Sequence, residues 1–431
     1  MGEGKTSGSM RLAYWSLAAL FAMNLLNYID RFILAAVLKK VQSPEELNFS
    51  DDRAGLLSTA FFVSYALFSP VMGWLGDRMT RRYLLAVGVG IWSIATFGSA
   101  WADSYWHLVL ARSVLGIGEA TYATLAPTLI GDLFPRAKRN RALSLFYVAI
   151  PVGAALGYSM GGFIDTHYGW RMAFQVVGWP GLLVAVAALF LREPKRGASE
   201  DIEGPAPGHS EALPLSGSTY SRLLRNRSYV YNLLAMAMVT FALGGLQWWT
   251  PSFLDRNRGI ALDTANYWLG VTVVISGIVG TLAGAWLGDR LAMRWRGAYF
   301  WLSGISMFLS VPCIFLALVA GHPVVIFGSI LIGLTLAFVN YGPSNSIIVN
   351  VSSPTIRAAA FAVNTFAIHL LGDIPSPYAM GALSTLTGNL FWGMVITLPA
   401  LGLSGMFFCL GAPHLEADQE AVIRQLRSSA V

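Results

Sequence analysis

Twelve apolar blocks of about twenty residues, separated by short charged clusters, run through this 431-residue chain. A block of that length is enough helix to cross the hydrocarbon of a bilayer, where each backbone N–H and C=O must be satisfied inside its own segment. The blocks fall at about 12–38, 54–76, 83–101, 106–133, 141–164, 171–191, 229–254, 265–288, 298–319, 323–349, 358–385 and 388–411. With 55% of residues hydrophobic and 12% charged, about half the charged share usual in soluble proteins, an ordinary soluble protein is excluded. The expected fold is an all-α integral membrane protein with twelve transmembrane helices. The first block is too long for a secretory signal, lacks its small-residue cleavage site and carries two ionisable residues, so it is expected to stay in the mature chain.

The net charge of +6 does not point to nucleic acid, because the basic residues sit at block ends rather than on one soluble face. They are also sided. Lys39, Lys40, Arg53, Arg171, Arg256 and Arg258 fall on one side, whereas the richer clusters around Arg78–Arg82, Arg136–Arg141, Arg192–Arg196, Arg222–Arg227, Arg290–Arg296 and Arg424–Arg427 fall on the other. Cytoplasmic loops carry the excess of Lys and Arg, so both termini are expected in the cytoplasm. Cys313 and Cys409 lie inside apolar blocks, which supports neither a disulfide framework nor a thiolate metal site. No HExxH, GxSxG or P-loop occurs, so no enzyme, metal or cofactor is expected.

The longest connection, from Glu193 to Tyr220, mixes Pro194, Pro205, Pro207 and Pro214 with Gly, Ser and acidic residues and cannot bury a core. It divides the chain into a six-helix bundle over 1–191, a cytoplasmic linker over 192–222, a second bundle over 223–413 and a cytoplasmic tail over 414–431. The halves echo each other. Trp-Leu-Gly-Asp-Arg occurs at Trp74–Arg78 and again at Trp286–Arg290, each time at the cytoplasmic end of the second span of its half. Two parallel six-helix repeats resemble the architecture of the major facilitator transporters. Gly73-x-x-x-Asp77-Arg78-x-x-Arg81-Arg82 resembles that superfamily's signature loop, with Thr80 where Gly is usual. A carboxylate at a helix end can accept from a neighbouring helix N-terminus, and arginines can hold facing carboxylates. Asp77, Arg78 and Arg81, with Asp289 and Arg290 in the second copy, are therefore read as a gating latch, against a reading of the arginines as simple membrane anchors.

Asn27-Tyr28-Ile29-Asp30-Arg31, Gly116-Ile117-Gly118-Glu119-Ala120-Thr121-Tyr122 with Ala126-Pro127-Thr128, Ile150-Pro151-Val152-Gly153 running to Gly157-Tyr158, and His369-Leu370-Leu371-Gly372-Asp373-Ile374-Pro375-Ser376-Pro377-Tyr378 together resemble the Spinster family of lipid transporters. The resemblance covers nearly all of the membrane region in both halves. It implies transport of lysophospholipids or sphingolipids such as sphingosine-1-phosphate, with proton coupling in several members.

Ionisable groups inside hydrocarbon are costly unless they face partners or water, so Asp30, Arg31, Arg112, Glu119, His369 and Asp373 are candidates by position alone. On the first helix Asn24, Asn27 and Arg31 share a face that Asp30 borders, and on the fourth Arg112 and Glu119 lie two turns apart on one stripe with Gly116 between. An arginine keeps its charge at any relevant pH and forks onto phosphate. Arg31 and Arg112, with Asn27 and Tyr122, are thus candidate headgroup ligands. Asp30 and Glu119 are candidate proton carriers: protonation would release an arginine to the substrate, and deprotonation would return it. The competing reading makes Asp30–Arg31 and Arg112–Glu119 permanent ion pairs that fix helix packing. His369 is a candidate second proton site, or else a satisfied packing histidine, and Asp373 caps or braces the break marked by Pro375 and Pro377. Trp248, Asn345 and Asn364 are candidate contacts for an amphiphile, and Gly153, Gly157 and Gly161 are read as the interface on which the halves rock.

The expected function is a secondary active transporter that moves an anionic amphiphilic lipid by alternating access, coupled to protons. With short soluble parts and minimal tails, it is expected to act as a monomer in a bacterial inner membrane. A proton-driven exporter of hydrophobic drugs or small organic anions is the alternative, ahead of a channel or a non-transporting lipid sensor.

Overall fold

The computed structural model describes residues 3–194, 223–353 and 356–428, and helices occupy every expected span. No strand occurs among the described residues, and the expected linker lies outside them from residue 195 to 222. In chain order the helices are α1 (Glu3–Val41), α2 (Asp51–Arg78), α3 (Arg81–Ser99), α4 (Tyr105–Leu133), α5 (Arg136–Tyr168), α6 (Trp170–Ala188), α7 (Arg227–Arg258), α8 (Leu262–Ala292), α9 (Ala298–Val319), α10 (Pro323–Phe338), α11 (Tyr341–Val351), α12 (Arg357–Ile368), α13 (Pro375–Thr387), α14 (Leu390–Val395), α15 (Thr397–Gly411) and α16 (Leu415–Ser428). The tenth, eleventh and twelfth spans are each made of two helices: α10 with α11, α12 with α13, and α14 with α15. Nine of the described stretches are long and apolar enough on their own to cross a membrane. The stretches of α3, α4 and α12–α13 fall outside that set, and the last two carry the buried Arg112, Glu119 and Asp373.

Local chemistry sets the boundaries. Asp51 and Asp52 occupy the first turn of α2 and Arg78 its last, matching the partial charges of the helix ends. The Ser104 hydroxyl accepts from the His107 amide and caps α4. Gly169, at φ +82°, ends α5 and starts α6 within one residue, a corner that a side chain would strain.

The chain divides into two compact units. The first comprises Met1–Gly204 with Leu254–Gly270. In it α1 lies along α5 and α6, α2 packs on α4, and α3 contacts both α4 and α6. Trp92, Tyr122, Phe61 and Phe146 are buried at its centre among Leu and Ala side chains. The glycine stripe on α5 belongs to this packing, which corrects the reading of a rocking interface. A Cβ on Gly157 would lie 2.7 Å from the Ile29 carbonyl oxygen and one on Gly153 2.6 Å from the Tyr28 Cβ. The small residues therefore let two helices of the same unit close on each other.

Polar contacts at the loop end of this unit involve the last turn of α1 and the residues after it. Asp51 accepts from Arg256 Nη1 at 2.7 and 3.0 Å, Gln42 Oε1 accepts from Arg256 Nη2 at 2.8 Å, and Lys39 pairs with Asp255. Arg171 Nη1 donates to Glu46 Oε2 at 2.5 Å. Burial alone would raise the Glu46 carboxyl, but hydrogen bonds from Arg171 and Trp170, with the charges of Arg171 and Lys40, hold it below the usual carboxylate range.

The second unit comprises Pro205–Phe253 with Val271–Val431. Here α9 packs on α10 and α15, and α13 packs on α14. Asp418 of α16 accepts from the Ser228 amide at 2.8 Å, placing a carboxylate on the N-terminus of α7. Between α12 and α13 the chain makes a π turn over His369–Asp373, closed by the Ile374 amide donating to the His369 carbonyl at 3.0 Å. Pro375 follows as the first residue of α13, the helix position where a missing N–H does least harm.

Candidate functional site

The ionisable residues of α1 and α4 come together in the first unit, and they pair across helices rather than along them. Arg31 Nη2 lies 2.5 Å from Glu119 Oε2. Asp30 accepts instead from the Thr96 hydroxyl of α3. Arg31 and Asp30 are neighbours in sequence but point about 100° apart on the helix, so each finds a different partner. Glu119 has no exposed surface, Asp30 and Arg112 are 1% exposed, and Asn27 is 3% exposed.

Several polar atoms in this group lack a hydrogen-bond partner: Asn27 Nδ2, Asp30 Oδ1, Arg31 Nε, Glu119 Oε1, and both Nε and Nη1 of Arg112. Buried donors and acceptors of this kind are costly when left alone, and guanidinium donors above all. Arg112 is the extreme case: a fully buried cation with two idle donors. The carboxylates of Asp30 and Glu119 are close enough to act on it electrostatically.

Aromatic rings of α1 and α2 surround the cations. The Arg31 Cζ lies 4.9 Å from the centroid of Tyr28, 5.1 Å from Phe61, 5.9 Å from Phe62 and 5.8 Å from Tyr65. The Arg112 Cζ lies 5.2 Å from the same Phe61 ring. Tyr122 takes another course: its hydroxyl donates to the Leu20 carbonyl at 2.8 Å and its ring packs against Trp92. Asn24 likewise donates to the Phe146 carbonyl at 2.9 Å.

In the second unit His369 Nδ1 and Asp373 Oδ2 are 2.6 Å apart, one on each end of the π turn. The Asp373 carboxylate stands over Gly244, where a Cβ would lie 2.7 Å from its Oδ1. Trp249 Nε1 donates to the Pro377 carbonyl at 2.9 Å and satisfies a group near the break in the eleventh stretch. Trp248 is buried with its indole nitrogen unpartnered, Asn364 is buried with Oδ1 unpartnered, and Asn345 is exposed.

The expected latch residues divide by burial. Arg81 is buried, with Nη1 2.7 Å from Asp132 Oδ2 and Nε 3.1 Å from Glu193 Oε1. The other oxygen of Glu193 accepts from the Arg82 amide at 3.0 Å, on the first turn of α3. Asp77 and Arg78 are exposed, and Arg78 stacks 4.2 Å over Trp74. In the second copy Arg290 lies 5.2 Å over Trp286, and Asp289 accepts from the Tyr299 hydroxyl at 3.0 Å.

Sequence reasoning missed Thr96, Asp132, Glu193 and the rings of Phe61 and Tyr65. A hydroxyl inside an apolar span is a weak signal, since most such groups bond to their own helix, as Ser93 and Ser99 do here. Nothing in the residue spacing marks an aromatic as facing a cation.

Comparison with known proteins adds lineage to this geometry. The family model described as Major Facilitator Superfamily matches residues 20–377. Protein spinster homolog 3 of Danio rerio is 35% identical over 447 residues, covering 96% of this chain and 88% of the relative. Protein spinster homolog 1 of Homo sapiens is 38% identical over 392 residues, covering 85% and 72%. The crystal structure of a bacterial homolog to the human lysosomal transporter Spinster, inward-facing and unoccupied, superposes with a TM-score of 0.80 at 23% identity, covering 96% of this chain and 98% of that one. The xylose transporter XylE from E. coli in its inward open conformation superposes with a TM-score of 0.74 at 18% identity over 95% and 99%. At these identities the two structures speak to the fold alone.

Proposed function

This chain belongs to the major facilitator superfamily and, within it, to the Spinster family, so it is a membrane transporter and not an enzyme, and we propose that it moves an anionic amphiphilic lipid with coupling to protons. The observation that carries the reading is the group made by Asp30, Arg31, Arg112 and Glu119: one buried and one partly buried cation with two buried carboxylates, in which Arg31 is held by Glu119 while Arg112 keeps two donors idle. A lysophospholipid or sphingosine-1-phosphate head offers the phosphate oxygens those donors lack. When Glu119 takes a proton, Arg31 loses its partner and becomes a second ligand for the head. When the proton leaves, the carboxylate reclaims Arg31 and the lipid is released. The Glu119 carboxylate and the lipid head thus compete for one guanidinium, so that taking up the proton favours taking up the lipid and the two movements are coupled. Asn27 borders the same group and Asp30 is its second candidate proton carrier, and Trp248, Asn345 and Asn364 of the second unit are proposed as contacts for an amphiphile. His369, bonded to Asp373, is proposed as a second proton site.

The accompanying frame is the one read from the repeat: bundles over 1–191 and 223–413, both termini cytoplasmic, and a monomer in a bacterial inner membrane. Asp77, Arg78, Arg81, Asp289 and Arg290 form its latch. The deciding experiment reconstitutes the protein in liposomes and follows a labelled lysophospholipid against an imposed pH gradient. Wild type is expected to respond to the gradient, Glu119→Gln to transport with the response lost, and Arg112→Gln to lose transport by at least tenfold. An unchanged gradient response in Glu119→Gln removes Glu119 from coupling. Competition by hydrophobic drugs or small organic anions but not by lysophospholipid would replace the lipid as cargo.

A further inference from the structure

Phe61 occupies a position that the pairing of Arg31 with Glu119 does not by itself explain. Its ring is 1% exposed and lies 5.1 Å from the Arg31 Cζ and 5.2 Å from the Arg112 Cζ, so one aromatic ring serves two guanidinium groups on different helices. The backbone brings it there. A Cβ on Gly116 of α4 would lie 2.5 Å from the Phe61 carbonyl oxygen and 3.1 Å from the Tyr65 amide nitrogen, so α2 and α4 touch backbone to backbone at this level. Arg112 sits one helical turn from Gly116 on the same stripe of α4, which sets its side chain beside the ring.

A carboxylate and an aromatic ring neutralise a cation in different ways. A carboxylate binds the guanidinium through its N–H edge and occupies donors there, as Glu119 does with Nη2 of Arg31. A ring offers a negative face and accepts no in-plane hydrogen bond, so it stabilises the charge and leaves the donors free. Arg112 has this second condition: close to the ring, with Nε and Nη1 unpartnered. The ring also stands beside both like charges, where a further carboxylate would have closed one of them to any ligand.

We propose that Phe61 is a positioning residue for anion recognition: its ring, shared by Arg31 and Arg112, holds both guanidinium groups charged inside the bundle while leaving to an acidic headgroup the N–H donors that Glu119 does not occupy. This rests on the reading of the two arginines as headgroup ligands, and the test separates the two claims. Purified protein in detergent is titrated with 1-oleoyl lysophosphatidate and, in parallel, with monooleoylglycerol, which has the same chain and no phosphate. Phe61 is replaced by 4-fluoro-, 3,5-difluoro- and 3,4,5-trifluorophenylalanine, which keep the ring's shape and progressively remove its negative face. Lysophosphatidate affinity is expected to fall stepwise, about tenfold across the series, with monooleoylglycerol binding unchanged. Phe61→Tyr is expected to bind as wild type and Phe61→Leu to lose at least as much as the trifluoro variant. A flat fluorine series overturns the proposal if Arg112→Gln has weakened lysophosphatidate binding. If wild type fails to bind lysophosphatidate, or Arg112→Gln binds it as wild type does, the arginine reading falls and takes the proposal with it. A parallel fall in monooleoylglycerol binding would mean packing rather than charge, and would also overturn it.

Discussion

Two arginines in one helical bundle meet different fates, and the difference is a matter of which atoms are left over. Arg31 is bound to a fully buried carboxylate; Arg112 has electrostatic company but no such bond. Removing one member of a buried pair leaves an uncompensated charge and costs about 3–5 kcal/mol, whereas removing both often costs little. Glu119→Leu is therefore expected to lower the melting temperature in detergent sharply, and Arg31→Leu together with Glu119→Leu to recover most of it. If the double variant is as unstable as the single, the pair is not the unit that stabilises this site. The members of this group were legible from the sequence, because ionisable residues in hydrocarbon announce themselves. Their pairing was not. Helical periodicity places Asp30, Arg31, Arg112 and Glu119 on faces, but the choice of Glu119 for Arg31 and of Thr96 for Asp30 depends on how α1, α3 and α4 approach one another.

At the scale of elements, the eleventh stretch shows what proline marks and what it hides. Pro375 and Pro377 locate the interruption, since each lacks a donor, but the wider turn that absorbs it lies before them, over His369–Asp373. The extra residue of a π turn leaves no compositional trace. The stripe of Gly153, Gly157 and Gly161 was similarly legible as close packing, while its partner was not, because any neighbouring helix could fill the groove and α1 does. The loop joining α1 to α2 is held at Glu46 by Arg171, and this contact titrates. A carboxyl held below its unfolded value stabilises the fold above the unfolded pKa, near 4.3, and that contribution disappears as pH falls through the lower folded value. Glu46→Gln is thus expected to be less stable than wild type by about 0.5 kcal/mol above pH 5, with the gap closing below pH 4. Melting curves across pH 3–7 check it, and a gap that widens in acid would show that the contact does not depend on charge.

Across the whole molecule the repeated Trp-Leu-Gly-Asp-Arg segments carry an arginine over a tryptophan in both copies, at 4.2 Å for Arg78 on Trp74 and 5.2 Å for Arg290 on Trp286. The likeness stops with that arginine, and three residues later the copies differ in burial. Arg81, buried and gripped by Asp132 and Glu193, corresponds to Met293 in the second copy, which is 80% exposed. The repeat was readable from five identical residues, but this divergence in burial was not, because its causes lie at positions 132 and 193, far from the motif. The two copies have thus kept a common surface stack and separated in what lies behind it. If Arg81 holds α3, α4 and the residues after α6 together, then copying the second half into the first should be damaging and the reverse exchange harmless. Arg81→Met removes the cation that Asp132 and Glu193 both hold, at a cost of about 2 kcal/mol for a partly buried network. Met293→Arg adds a charge to an exposed position and is expected to change stability by less than about 0.5 kcal/mol. Melting temperature and lysophospholipid uptake of the two variants, measured side by side, test the asymmetry. Equal tolerance of both exchanges would mean that Arg81 is an exchangeable membrane anchor like its neighbours, and that the network around it is incidental to the fold.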